Sequence, residues 1–242
     1  MATHVDEVTQ ELRERILSGA YGANDRLAET AVADELGGSR TLARLALAAL
    51  EQEGLTRREP NRGYRVRGFT LDEVTDAILV RGELEGMAAR TVAERGLSEE
   101  TDKQLAQLLH DMDELIDKGF RQLDSQASWL DLNAEFHAAI ISASGNRALR
   151  DSIQQLSRLP LVASRAVVFD QSDVARSLSS IRRAHEDHHA VVDAMRNREG
   201  SRAAAIMREH ARTSSRNKRM SIDAMKGGLL GPRLPGLDLV DC

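Results

Sequence analysis

The chain has 242 residues, 29% of them charged and only 3% aromatic, with four prolines and a formal net charge of −5. That composition describes a helical globular protein with more than one core, and it excludes a disordered chain and an overall basic one. The one cysteine, Cys242, excludes an internal disulfide, and with no basic-then-apolar leader and no long apolar run the expectation is a cytoplasmic protein with no membrane partner.

In chain order, an apolar-periodic helix is expected from about Val5 to Leu17, then a Gly-containing connection, then a short helix over about Ala28–Leu36 closed by Gly37-Gly38. Ser39–Leu55 follows as SRTLARLALAALEQEGL. Ser39 is its N-cap, Gly54 its C-terminal stop, and Leu42, Leu45, Ala46, Ala49 and Leu50 its core-facing stripe. Arg40 and Arg44, four residues apart, project together from the first turns, where a major-groove helix presents base-reading side chains. On spacing alone, an amphipathic helix with two solvated arginines is an equal reading. The context favours DNA, because Leu55–Arg58 and Tyr64–Arg67 alternate like two strands around Glu59-Pro60-Asn61-Arg62-Gly63. Charge agrees with this: residues 1–37 hold three Arg against eight acids, whereas residues 38–69 hold seven Arg against three, a local net of +4. Three helices and a basic hairpin describe a winged helix-turn-helix over residues 1–69.

Thr70-Leu71-Asp72-Glu73 has the form of a capping box and opens a second domain, expected to be an all-α antiparallel bundle over 70–225. Its first helix reaches Arg95-Gly96. Ser98 caps the next, which stops at Lys118-Gly119, and another runs over about Asp124–Ser144. Asn146 caps a further helix through Leu149, Ile153 and Leu156, which Pro160 kinks or divides before Val168. Helices over about Val174–Arg196 and Ser201–Met225 complete the bundle, and residues 226–242, without periodicity, are expected to form a flexible tail. The fold class is therefore mainly α.

SRTLARLAL, LEQEGL and NRGYRV resemble the recognition helix and wing of the GntR transcription regulators, and VRGELEGMAAR, EFHAAIISASGNRAL, HHAVVDAM and AIMREH are similar to the FCD effector domain of their FadR-like subfamily. Two positions depart from the family pattern: Leu42 stands where Pro is usual and Leu45 where Glu is usual. The resemblance implies a homodimer that binds a double-stranded DNA operator through Ser39, Arg40, Thr41, Arg44, Asn61, Arg62 and Gly63, most simply as a repressor. It also implies a small organic acid effector, with Arg81 and Arg165 facing its carboxylate, and a likeness to vanillate-responsive repressors makes an aromatic acid a candidate. Its metal-ligand positions fall on Asn133, His137, His188 and His210, with zinc the first candidate ion; Asn133 is a departure, since Asp is common there. Helical geometry is compatible with that set. Asn133 and His137 share a face at i and i+4, and His188 and His210 each stand nine residues from the turn Asn197–Ser201, so a hairpin brings both to roughly 13 Å from it. An Asn carbonyl in place of a carboxylate weakens such a site, which leaves a metal-free dimerisation or ligand module as the alternative. His185 and His189 read as surface or supporting residues, and Arg81 has an ion pair with Glu85 as its plain alternative.

A metalloenzyme is the competing class. A di-iron bundle requires two Glu-x-x-His motifs, whereas only Glu186–His189 has that spacing and Ala134 stands where the second Glu is needed. No nucleophile elbow or phosphate loop is present, so the sequence points away from catalysis.

Overall fold

The structure, a computed structural model, describes residues 4–60, 62–119, 123–166, 174–226 and 235–241. These fall into two compact units. The first lies within Met1–Val74, Arg158–Leu161 and Arg233–Cys242, and the second within Thr75–Ser157 and Val162–Pro232.

The first unit is built on α1 (His4–Leu17), α2 (Glu29–Glu35) and α3 (Arg40–Gln52). Both α1 and α2 pack on α3, burying Leu12 and Ile16, Val32 and Ala33 against Ala46, Leu47 and Leu50. A three-stranded antiparallel sheet closes this core, with β1 (Arg26–Leu27) and β2 (Thr56–Glu59) on either side of β3 (Gly63–Val66). Leu27, Thr56, Tyr64 and Val66 are buried, while Arg57 and Arg58 face out. Glu53 of the LEQEGL stretch is buried and accepts two hydrogen bonds from Arg13, at 2.8 and 2.7 Å, so that α1 is pinned to the end of α3 by a bidentate pair.

The C-terminal segment differs from the flexible tail expected of it. Leu237–Leu239 form a 3-10 turn, and β5 (Val240–Asp241) pairs in parallel with β4 (Phe69–Thr70), Phe69 opposite Val240. Leu237, Leu239 and Val240 are buried, which supplies the hydrophobic gain a free tail lacks. Their near-alternation with Asp238 is a pattern too short to read as a strand without the partner edge.

The second unit is a helical bundle: α4 (Leu71–Arg95, of which the part from Thr75 belongs to this unit), α5 (Glu99–Lys118), α6 (Leu123–Ala143), α7 (Arg147–Leu156), α8 (Val174–Arg196) and α9 (Gly200–Lys226). The expected caps are present. Thr70 and Glu73 bond reciprocally through Thr70 N–H to Glu73 (2.8 Å) and Glu73 N–H to Thr70 Oγ1 (3.1 Å), and Ser98 and Asn146 accept from Thr101 and Leu149 amides. With few aromatics available, the core is made of aliphatic and sulfur side chains such as Leu105, Met112, Ile140, Val191, Val192, Met195 and Met207 around Trp129 and Phe136. α7 ends at Leu156, four residues ahead of Pro160, and does not continue as a kinked helix. Leu161 then adopts a left-handed φ of 62°, which no helix accommodates. Residues up to Val168, where that helix was expected to resume, lie partly outside the described residues.

Among the described residues, no helix is long and apolar enough to cross a membrane.

Candidate functional site

The recognition helix α3 starts at Ser39, whose Oγ accepts from the Leu42 amide at 3.2 Å. Arg40, Thr41 and Arg44 are exposed on its first turns. Other arginines of this unit are engaged by carboxylates, Arg13 by Glu53 and Arg65 by Glu59. Among the described residues neither Arg40 nor Arg44 lies in an ion pair, so both keep their donors for an outside anion. Leu45 departs from the expected core stripe. It is 47% exposed, and the buried positions are Ala43, Ala46, Leu47 and Leu50. The apolar stripe is rotated by one position because α1 and α2 cover the side of α3 that carries Ala43 and Leu47, which leaves Leu45 beside Arg44 on the open face.

In the wing, Gly63 has φ +83° and a Cβ there would meet Leu27 O at 3.1 Å, so both conformation and space require glycine. Arg62 is exposed and its carbonyl accepts from Arg26 Nε at 3.0 Å, which ties the wing to β1; Asn61 lies outside the described residues. Arg58 on β2 is also exposed. It was counted only as part of the basic segment, since the face a strand residue occupies depends on its partner strand.

In the bundle, His137 on α6, His188 on α8 and His210 on α9 converge, with ring centroids 5.5 Å (137–188), 5.4 Å (137–210) and 4.9 Å (188–210) apart. One ring nitrogen from each lies within 4.8 Å of the others, and all three residues are buried. His188 is 0% exposed, and both of its ring nitrogens are buried without a hydrogen-bond partner. Two unmet polar atoms in the core are costly unless something occupies the space between the rings. Burial, followed by the neighbouring His210 and His137, pushes the His188 pKa well below its ordinary value, so the ring is a neutral base with a free lone pair. A carboxylate lies beside each of the other two rings: His210 Nδ1 is hydrogen-bonded to Asp187 at 3.3 Å, and His137 Nδ1 is 3.2 Å from Glu85 but lacks hydrogen-bond geometry. Asn133 is buried on the wall of the same cavity and donates from Nδ2 to Ser164 O at 2.8 Å, a bond an aspartate cannot make. The amide thus holds Ser164 while its oxygen supplies a neutral donor. Three imidazoles with carboxylates close by, plus one carbonyl oxygen, fit a four-coordinate borderline cation.

The cavity also carries two buried cations. Arg81 is buried with Nε and Nη1 lacking hydrogen-bond partners; its closest carboxylate is Glu85, at 3.7 Å. Burial opposes the Glu85 carboxylate, but Arg81 and then His137 outweigh it and hold the pKa at about 2. Lys218 on α9 is 5% exposed, lines the same cavity, and its Nζ has no partner. Burial, reinforced by Arg81, lowers its pKa to about 7. Sequence reasoning missed Lys218, since a lone lysine late in a helix reads as solvated; its spacing of eight residues from His210 was the available signal. Arg165 is not brought to this cavity. It is 61% exposed and paired with Asp131 at 2.8 Å, because Ser164 and Ala166 are the residues that turn inward. Trp129 is buried on the cavity wall, stacked at 22° to His188 with centroids 6.5 Å apart. The wall is otherwise rich in hydroxyls, including Ser177, Ser180, Thr213, Ser214 and Ser221.

A winged helix-turn-helix with unpaired arginines on its third helix, followed by a helical bundle with a cation-lined internal cavity, defines a DNA-binding regulator with a ligand-sensing domain. Residues 4–66 match the family described as bacterial regulatory proteins, gntR family, and residues 76–213 match the FCD domain. The chain belongs to the GntR family of transcriptional regulators and carries an FCD domain. It is 26% identical over 149 residues to the uncharacterized HTH-type transcriptional regulator YdhC of Bacillus subtilis, a match spanning 62% of this chain and 64% of that protein. It is 26% identical to the HTH-type transcriptional repressor GlaR of Escherichia coli over 84% of this chain and 90% of that one. The fold is shared with McbR/YncC of E. coli, with a TM-score of 0.54 and 23% identity over 86% of this chain and 95% of that one. These matches are to regulators and not to enzymes.

Proposed function

We propose that the protein is a cytoplasmic transcriptional repressor that binds an inverted-repeat operator as a homodimer and releases it when a small organic acid enters the bundle cavity. The observation that carries the effector reading is the pair of buried basic groups on the wall of one cavity, Arg81 and Lys218, with Arg81 Nε and Nη1 and Lys218 Nζ lacking hydrogen-bond partners. Glu85, 3.7 Å away, offsets the Arg81 charge without satisfying its N–H donors, and burial holds Lys218 at a pKa of about 7, so an anion is the ligand that completes both groups. The hydroxyl-rich wall favours an acid that also bears hydroxyl groups, and Trp129 with Ile181 offers a flat apolar surface for a ring. His137, His188 and His210 with Asn133 hold a divalent metal in this reading, zinc first, which adds positive charge at the carboxylate end. Arg40, Thr41 and Arg44 read the major groove, with Arg62 and Asn61 contacting the backbone from the wing. Leu45, exposed beside Arg44, presents the apolar contact that a thymine methyl takes. The homodimer is supported by Val80 and Met87, seven residues apart on α4 and exposed despite being large and apolar.

The experiment is a thermal-shift screen of hydroxylated aliphatic and aromatic carboxylates on wild type and Lys218→Met, followed by operator-release assays with each hit. A true effector raises the melting temperature by mass action, loses about 10- to 100-fold in affinity in Lys218→Met, and releases the operator. If neutral isosteres bind as well as the acids, the anion reading is wrong. If acids bind without altering DNA affinity, the cavity does not control the DNA-binding unit.

A further inference from the structure

A second cluster of metal-ligating atoms lies one turn along α8 from His188, with the His185 and His188 ring centroids 5.8 Å apart. His185 and His189, at i and i+4 on α8, meet Asp113 of α5. The two helices run antiparallel here, since Asp102, nearer the start of α5, pairs at 2.7 Å with Arg196, nearer the end of α8. His185 Nε2 is 2.8 Å from Asp113 Oδ1, His189 Nε2 is 3.3 Å from the same oxygen, and the two Nε2 atoms are 3.1 Å apart. His185, expected from the sequence to be peripheral, is buried, whereas His189 and Asp113 are about half exposed.

We propose that Asp113, His185 and His189 form a second divalent-cation site, separate from the His137/His188/His210 set, open to solvent on one side and suited to a borderline ion such as Zn²⁺, Ni²⁺ or Co²⁺. Metal–nitrogen and metal–oxygen bonds of roughly 2.0–2.2 Å place neighbouring ligand atoms about 3.4 Å apart in a tetrahedron and about 3.0 Å apart in an octahedron. Two of the triangle's edges, 3.1 and 3.3 Å, lie between those values, and the third, 2.8 Å, is just below the octahedral one. Protons account for it less well. If both imidazoles donate through Nε2 to one carboxylate oxygen, two N–H groups crowd each other at 3.1 Å; if one Nε2 is bare, one edge rests on a shared proton. A cation within reach of all three atoms satisfies every edge at once. Two imidazoles and one carboxylate are a borderline donor set, and the exposure of His189 and Asp113 leaves the remaining coordination positions to water. The site bridges α5 and α8, so occupancy ties these helices together.

The site is independent of the effector reading, and its test is a count. Untagged full-length protein is stripped with chelator, dialysed against Zn²⁺ and assayed for bound metal. Asp113→Asn/His189→Ala is expected to bind one equivalent fewer than wild type, His189→Cys, which keeps a zinc ligand, to retain the equivalent, and His210→Ala to leave this site filled. Both substituted side chains in the double variant are half exposed, and far-UV circular dichroism checks that its bundle is folded. In parallel, Zn²⁺ shifts the ring resonances of His185 and His189 in the His210→Ala protein. Equal zinc content in wild type and the folded double variant, or unmoved His185 and His189 resonances, overturns the proposal and leaves the triad as a proton-linked network.

Discussion

Lys218 makes a pH-dependent expectation that its position in the chain does not suggest. With its pKa at about 7 in the folded protein, against 10.5 as the ordinary value, the unfolded chain carries a proton that the folded one lacks across that interval. Stability therefore gains a contribution that rises with pH between those values, and below about 7 the full cost of the buried charge is present. Urea titrations at pH 7 and pH 9 should show this slope in wild type and its loss in Lys218→Met. An anion in the cavity raises the Lys218 pKa, so acids bind more tightly below pH 7 and take up a proton when they bind above it. Calorimetry in buffers of different ionisation enthalpy measures that uptake, and Lys218→Met should abolish it. On the DNA side, Arg44→Ala should cost about 1–3 kcal/mol on operator DNA if the guanidinium grips a base, with relaxed preference at one position. Equal losses on operator and random duplex identify a phosphate contact instead.

At the scale of elements, close approach and short pairing decide more than helix propensity. A Cβ at Gly82 of α4 would sit 2.2 Å from Ala211 Cβ on α9, and one at Gly86 would lie 3.0 Å from Ala204 O. Propensity alone makes Gly82→Ala stabilising by about 1 kcal/mol, whereas overpacking costs roughly 1–3 kcal/mol, and a 2.2 Å clash puts it at the upper end. Thermal or urea denaturation should therefore show Gly82→Ala to be net destabilising; an unchanged or raised midpoint means that α4 and α9 separate freely. In the first unit, Leu239 is fully buried and β5 is only two residues long. Leu239→Asp should undock the C-terminal segment, so that amides of residues 237–241 lose hydrogen-exchange protection while those of α3 keep theirs. Retained protection at 237–241 would mean that pairing with β4 suffices without the apolar anchor.

At the scale of the whole molecule, regulation requires that effector and operator prefer different states of one assembly. Val80→Glu with Met87→Glu places charge on the exposed apolar face of α4 and should convert a dimer to monomer in sedimentation while leaving the helical signal intact. Operator affinity should fall with it, because two half-sites are then no longer read by one particle. An effector that weakens operator binding 5- to 150-fold corresponds to about 1–3 kcal/mol of coupling, and linkage demands that operator DNA weaken the effector by the same factor. Trp129, the one tryptophan and part of the cavity wall, is the fluorescent reporter for that titration.

The sequence by itself determined what local rules encode. The caps at Ser39, Ser98 and Asn146 and the box at Thr70 and Glu73 are side-chain-to-backbone bonds within three residues, and the convergence of His188 with His210 follows from equal spacing about one turn. What only tertiary structure decided depends on which neighbour arrives. Leu45 has the spacing of a core residue, but its side of α3 is left uncovered. Leu239 looks like part of a free tail until the edge of β4 receives it. Arg165, expected at the effector, is exposed, and Lys218, which the sequence does not single out, is buried on the cavity wall, since a basic side chain's burial is set by what packs over it and not by its own residue type. His185 and His189 gain their chemistry from Asp113, more than seventy residues away, and no periodicity within one helix can report a partner on another.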